Sequence, residues 1–243
     1  MKKLPFDLAT VVSCLSALLL AAGCASTKVV GREQVVTGYI PRPGEIWVYD
    51  FVASAGDLPP DSPLAGEADV DTTTQQTDKE IAEGRELGME IAAQLVEQIH
   101  QMGMPAAHAV PGTTPQINDI VIRGYLLSIK SGSAAKRVVV GFGAGGSELR
   151  TMVEGFQMTP QGLRKLGVST IESGGSKGPG AAVGVATFLA TANPAGLIIS
   201  SGMKVYGEAS GKATIQGRAQ ATAKEIADVL KKRFQAQGWI NPE

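Results

Sequence analysis

The sequence predicts an α/β domain of the α+β kind: a small mixed β-sheet packed by a central helix and a C-terminal helix. Three observations carry this. Apolar residues recur at helical spacing after "TDKE" and again after "GRAQ". Between those helices lie runs rich in β-branched residues, such as "DIVIRGYLLSIKSG". The 243 residues suit one domain with appendages, and 44% hydrophobic residues against 5% aromatic ones imply an aliphatic core. The 30 glycines add close backbone approaches. Lys and Arg number 22 against 23 Asp and Glu, a net charge of −1 that argues against a nucleic-acid binder.

Lys2 and Lys3 precede an uncharged stretch from Leu8 to Ala22, too short to span a bilayer comfortably but suited to a signal-peptide core. Ala21, Ala22 and Gly23 then lead into Cys24. This resembles the bacterial lipobox, in which the cysteine is acylated and becomes the new N-terminus. Leu20 stands one place earlier than the pattern prefers. The resemblance implies that residues 1–23 are removed and that Cys24 carries acyl chains. Ala25, in place of an aspartate, points to the periplasmic face of the outer membrane. An ordinary secretory signal and a retained anchor are the alternatives. The only other cysteine, Cys14, falls within the signal, so neither a disulfide nor thiol chemistry is expected of the folded domain.

Residues 24–44 read as a lipidated N-terminus and tether, and 45–243 as the domain. "EIWVYDFVA", 45–53, is apolar on both faces and reads as a central strand. "SAGDLPPDSPLAGEADVDTTTQQ" is dense in turn formers and acids and reads as a long exposed loop. Thr77 and Glu80 form a capping box that opens the first helix. Its stripe is Ile81, Gly84, Gly88, Ile91, Ala92, Leu95, Ile99 and Met102. Each glycine costs a helix ~1 kcal/mol, so the small residues predict close packing against a sheet or helix.

A strand is expected over 119–130, and two more, joined by a glycine-rich turn, within "KRVVVGFGAGGSELRTMVEGFQMT". "LRKLGVSTIES" reads as a short element. The last helix shows Ala219, Ala223, Ile226, Leu230 and Phe234 as its apolar stripe. Gly238 ends it and Trp239 folds back on the last turn.

Gly141, Gly143 and Gly146 match the dinucleotide fingerprint, which has force only where it opens a helix. Leu149, Thr151, Val153 and Gly155 alternate as a strand does, so the glycines are read as a hairpin turn. His100 and His108 have no Cys, His or acidic cluster at ligand spacing, and no metal or other cofactor is expected. No nucleophile beside a base stands out, so no catalytic residue is assigned and the protein is read as a non-enzyme.

Residues 178–203 carry no charged side chain, but Asn193-Pro194 interrupts them. They read as a Gly/Ala-rich apolar helical hairpin. It is either buried, or exposed for self-association or membrane contact, or, least in keeping with the proline, spanning. A stretch this apolar is expected to be partly uncovered in a monomer.

The runs "RGYLLSIKSGSAAKRVVVGFGAGGSELRT" and "ANPAGLIISSGMKVYGEASGKATIQGRAQATAKEIADVLKKRFQAQGWI" resemble an uncharacterised bacterial lipoprotein family, domain of unknown function 4410. More loosely, strand "WVYDF", a helix ending in "GM" and strand "IVIRGYLLSI" are similar to periplasmic lipoproteins of the curli-secretion and penicillin-binding-protein-activator type. The family implies an envelope lipoprotein and transfers no catalytic residues. The expected function is therefore a periplasmic docking or assembly component, held to the membrane by Cys24 and meeting a protein partner or itself. The alternatives are a ligand-binding lipoprotein and, last, a hydrolase.

Overall fold

The computed structural model describes residues 27–58, 77–130, 148–174 and 215–242. They form a mixed six-stranded sheet with two helices on one face, the α+β architecture expected. The strands are β1 (Thr27–Gln34), β2 (Ile46–Val48), β3 (Ala107–His108), β4 (Ile120–Lys130), β5 (Glu148–Thr159) and β6 (Gly162–Gly174). Helix α1 covers Asp78–Gln101 and α2 covers Ile215–Ala236. The spatial order is β1-β6-β5-β4-β2-β3. β2 runs parallel to β3 and β4, and the remaining pairs are antiparallel.

Helix α1 begins as its sequence dictates. Thr77 Oγ1 accepts from the Glu80 backbone N–H, and the Thr77 N–H donates to Glu80 Oε2 at 2.8 Å. Gly84, Leu87, Gly88, Ile91, Ala92, Leu95 and Ile99 are buried. The glycine stripe has a specific use. A Cβ on Gly88 would lie 2.1 Å from the Phe51 carbonyl oxygen, and one on Gly124 of β4 would lie 2.1 Å from the Phe51 ring. Phe51, 1% exposed, is thus clamped between helix and sheet, where only glycine admits it. Helix α2 ends at Gly238, whose φ is +70°. Trp239 folds back, its N–H donating to Phe234 O and its ring centroid 5.3 Å from that of Phe234.

Two expectations are corrected. Residues 27–34 are not tether but an edge strand, paired antiparallel with β6 from Thr27↔Ser173 to Gln34↔Gly167. Lys28, Arg32, Glu33 and Gln34 are exposed, as suits a protected edge, and only Val29 and Val30 supply the apolar signal. The "LRKLGVSTIES" run is not a short element but most of β6, a 13-residue strand hydrogen-bonded on both sides. Its polar residues are paired across strands: Arg150 Nη2 of β5 meets Glu172 Oε1 at 2.9 Å. The expected strand at 45–53 is central, between β4 and β3, but its ladder is only three residues long, with an isolated bridge from Val52 to Tyr125. The turn from β5 to β6 needs Gly162, at φ +108°.

The sheet has two poles. At one lie the short connections, β5 to β6 and α1 to β3, together with the end of α2. At the other lie Thr27, Lys130, Glu148 and Gly174, placed there by the register pairs Thr27↔Ser173, Lys130↔Glu148 and Glu148↔Gly174. The C-terminal end of α2 is fixed to the first pole by Gln237, which accepts from the Ile40 N–H at 2.7 Å. At ~1.5 Å per residue, 22 helical residues carry Ile215 to the second pole.

Candidate functional site

On the helix face of the sheet, β5 and β6 place two glycines side by side, Gly155 opposite Gly167. An added Cβ on Gly155 would meet nothing within 4 Å. Gln34 of β1 is in register with Gly167, so the row is bare on β5 and β6 and ends in a polar side chain at the sheet edge. Above it passes α2. The result is an open cleft of about 120 Å³ between sheet and helix. Ile122, Val153 and Ile171 form its floor, Ile226, Leu230 and Phe234 its roof, and Ile40 and Trp239 its end wall.

The end wall is rigidly tied. Trp239 Nε1 donates to Ile40 O at 3.0 Å, Gln237 Nε2 donates to Gly38 O at 3.1 Å, and Arg42 donates to the carbonyls of Trp239 and Gly103 at 3.0 Å each. The Val35 and Val36 N–H groups both donate to Leu166 O, which holds the end of β1 against β6.

The rim is polar. Arg32, Glu33 and Gln34 come from β1, and Arg233 and Gln237 from α2. Burial lowers the Arg233 pKa, and the neighbouring Arg32 charge lowers it further. Arg233 Nη2 reaches the Val36 carbonyl at 3.4 Å, and neither arginine has a carboxylate partner among the described residues. The cleft thus joins an apolar interior to a polar rim that carries two guanidinium groups outside any ion pair among the described residues. Sequence reasoning did not single out Arg32 or Gly167, and it takes Arg233 only as one of the alternating charges on a solvated helix face. Gly155 was legible only as one position in an alternating strand.

The family profile described as Domain of unknown function (DUF4410) matches residues 46–192. This chain belongs to the DUF4410 family. The match begins at β2 and takes in α1 and the strands through β6, while β1 and α2, which supply the rim arginines, lie outside it. No curated protein matches the chain. Among solved structures it is similar to the PelC dodecamer of Paraburkholderia phytofirmans. A methionine variant of that protein is 11% identical, with 71% of this chain and 96% of that chain covered and a TM-score of 0.34. The form without that substitution is 10% identical, with 69% and 92% covered and a TM-score of 0.34.

The opposite face of the family's sheet holds a second polar assembly. Glu154 accepts from Lys165 Nζ at 2.6 Å and from the Tyr125 hydroxyl at 3.1 Å. Glu172 pairs with Arg150, and Lys28 stands 4.0 Å away. Arg123 lies over both Tyr49 and Phe156, 5.7 and 5.5 Å from their ring centroids. These carboxylates are buried and matched by cations, an arrangement that holds strands in register.

The residues singled out from sequence fall as follows. Cys24, the glycines Gly141, Gly143 and Gly146, and the 178–203 stretch lie outside the described residues. His100 Nε2 contacts the Ala106 carbonyl at 2.6 Å, and His108 Nε2 meets Asp50 at 2.6 Å, so the two serve separate local contacts. Among the described residues no group of three His, Cys, Asp or Glu could hold a metal ion. Asp119, which the sequence did not flag, accepts from Trp47 Nε1 and from the Glu45 and Gln116 N–H groups, pinning the start of β4 beneath β2.

Proposed function

We propose that this DUF4410 protein is a non-enzymatic envelope lipoprotein, anchored through Cys24 at the periplasmic face of the outer membrane and acting as a docking or assembly component. What supports this reading is the segregation of the chain at the two poles of the sheet. β1 begins three residues after Cys24, a span of ~10 Å at most. Acyl chains on Cys24 would therefore hold the Thr27 pole against the bilayer, with no long tether between. Gly174 and Ile215, which bracket the uncharged 178–203 sequence, belong to that same pole. An apolar stretch entering and leaving at the membrane-facing pole is suited to contact with lipid, a partner or a second copy. Among the described residues no helix is long and apolar enough to cross a membrane.

The test is replacement of Cys24 by Ser, with metabolic labelling by a palmitate analogue and fractionation of the envelope. The proposal expects labelling and outer-membrane recovery for the native chain and loss of both in the variant. Labelling that persists in Cys24→Ser defeats the anchor. Crosslinking in whole cells with and without Leu197→Glu then addresses docking, since a partner held by 178–203 is lost from the crosslinked set. A second reading, a periplasmic ligand binder, is favoured by the cleft beneath α2.

A further inference from the structure

We infer that the cleft between α2 and the Gly155–Gly167 row binds a single-chain anionic amphiphile, its tail on the sheet and its head between Arg32 and Arg233. The inference rests on the ligand-binding reading and is independent of the docking role. Four observations meet here. The interior is aliphatic and aromatic, lined by Ile122, Val153, Leu230, Phe234 and Trp239, and it stays open because Gly155 presents no side chain. An apolar cavity of ~150 Å³ takes one benzene ring, so about 120 Å³ admits roughly four or five carbon-sized groups, the inner end of an acyl chain whose remainder leaves through the open mouth. The rim brings two guanidinium groups from different elements to one opening, with no carboxylate paired to either among the described residues. Like charges gathered without a counter-ion repel one another, and an anion between them removes that cost.

The register explains why the carboxylates near the rim do not fill this role. Arg32 is opposite Ser169 and Gln34 opposite Gly167, on the helix face. Glu33 and Glu154 both belong to the cleft lining, but the register of Glu33 with Val168 sets it on the other face, and the Glu154 carboxylate is bound there to Lys165 and Tyr125. A cationic head would meet the arginines and be repelled. A neutral head would gain only the tail contacts.

Trp239 lies in the end wall and reports occupancy directly, because bromine on a bound chain quenches its fluorescence. The full-length chain is placed in phosphatidylcholine nanodiscs and titrated with bromo-octanoate, bromo-octyl phosphate, bromo-octyl glucoside and bromo-octylammonium. A further arm carries brominated lysophosphatidylglycerol, a single-chain anion, in the disc. Saturable quenching by the two free anions, at least tenfold tighter than by the neutral and cationic chains, is expected. Quenching by the disc lipid instead assigns the bilayer as the source of the same chemistry. Arg32→Gln and Arg233→Gln should each weaken anion binding several-fold while the chain stays folded, since neither arginine holds an ion pair among the described residues. Gly155→Leu should abolish quenching by filling the cleft, and Gly155→Val serves if the larger variant fails to fold. Equal binding of all four heads, or binding that survives in a folded Gly155 variant, overturns the inference. So does the absence of saturable quenching in every arm. None of these outcomes bears on labelling at Cys24, so the two proposals fail separately.

Discussion

Substituting Gly88 by Ala opposes two well-defined effects. On helix propensity alone, alanine in the middle of α1 gains about 1 kcal/mol over glycine. The Phe51 backbone lies in the way. The new Cβ would stand 2.1 Å from the Phe51 carbonyl oxygen and 3.1 Å from its carbon. Carbon–oxygen contacts are ordinarily ~3.3 Å or more, so helix or strand must retreat by roughly 1 Å. The obstacle is backbone and cannot swing aside as a side chain would. Retreat also stretches the Phe51 N–H to Gly88 O bond, already 3.4 Å, and loosens the ring from Gly124. Overpacking costs typically 1–3 kcal/mol, and an obstacle of backbone rather than side chain puts this site at the upper end, about 2–3 kcal/mol. The expected net result is destabilisation by about 1–2 kcal/mol, or roughly 2–8 °C in Tm for a domain of this size. Thermal melting followed by far-ultraviolet circular dichroism measures it. Ala82→Gly, on the exposed face of the same helix, should lose about 1 kcal/mol and calibrates the propensity alone. A Gly88→Ala chain as stable as the native one, or more stable, would refute the reasoning, because propensity would then outweigh the contact.

Thr77→Ala removes half of the capping box and should cost about 1 kcal/mol in a urea titration, with m unchanged. Burial pushes the Asp57 carboxyl up, but the Arg85 guanidinium and the Ser54 hydroxyl hold it below its ordinary range. That clasp is complete above the unfolded pKa and is lost as pH falls through the lowered folded value. The Tm gap between native chain and Asp57→Asn should therefore be widest near neutrality and close in acid; a gap that widens on acidification contradicts it. Arg150→Met strands the buried Glu172 carboxylate with only the distant, exposed Lys28, and should cost ~3 kcal/mol at pH 7, as read by chemical denaturation. Gly155→Ala fills open space on a strand and should leave Tm unchanged or raise it, in contrast to Gly88→Ala.

Wherever local chemistry was sufficient, the elements were legible from the chain alone. The Thr77 capping box, the small-residue stripe of α1, the Ile120–Lys130 strand and the Gly238-Trp239 stop each depend on residues within a few positions of one another, and each formed as read. The stripe even announced a close contact, though not that Phe51 would be the object. What was missed shares a physical cause. β1 and most of β6 are polar in composition because one is an edge strand and the other satisfies its charges across the sheet. Their pairing joins residues more than 130 positions apart, a distance at which periodicity carries no signal.

The candidate site was legible to an even smaller degree. Gly155, Gly167, Arg32 and Arg233 are unremarkable where they stand in the chain, and they acquire meaning only as a glycine row under a helix with two cations at its rim. By itself the sequence determined the fold class, the capped start of α1 and the stop of α2, because periodicity and caps are local properties, and its runs carried the resemblance to the family. Tertiary structure alone decided which segment closes the sheet, where Phe51 is clamped and that a cleft exists, because register and the absence of a side chain become physical only when strands meet.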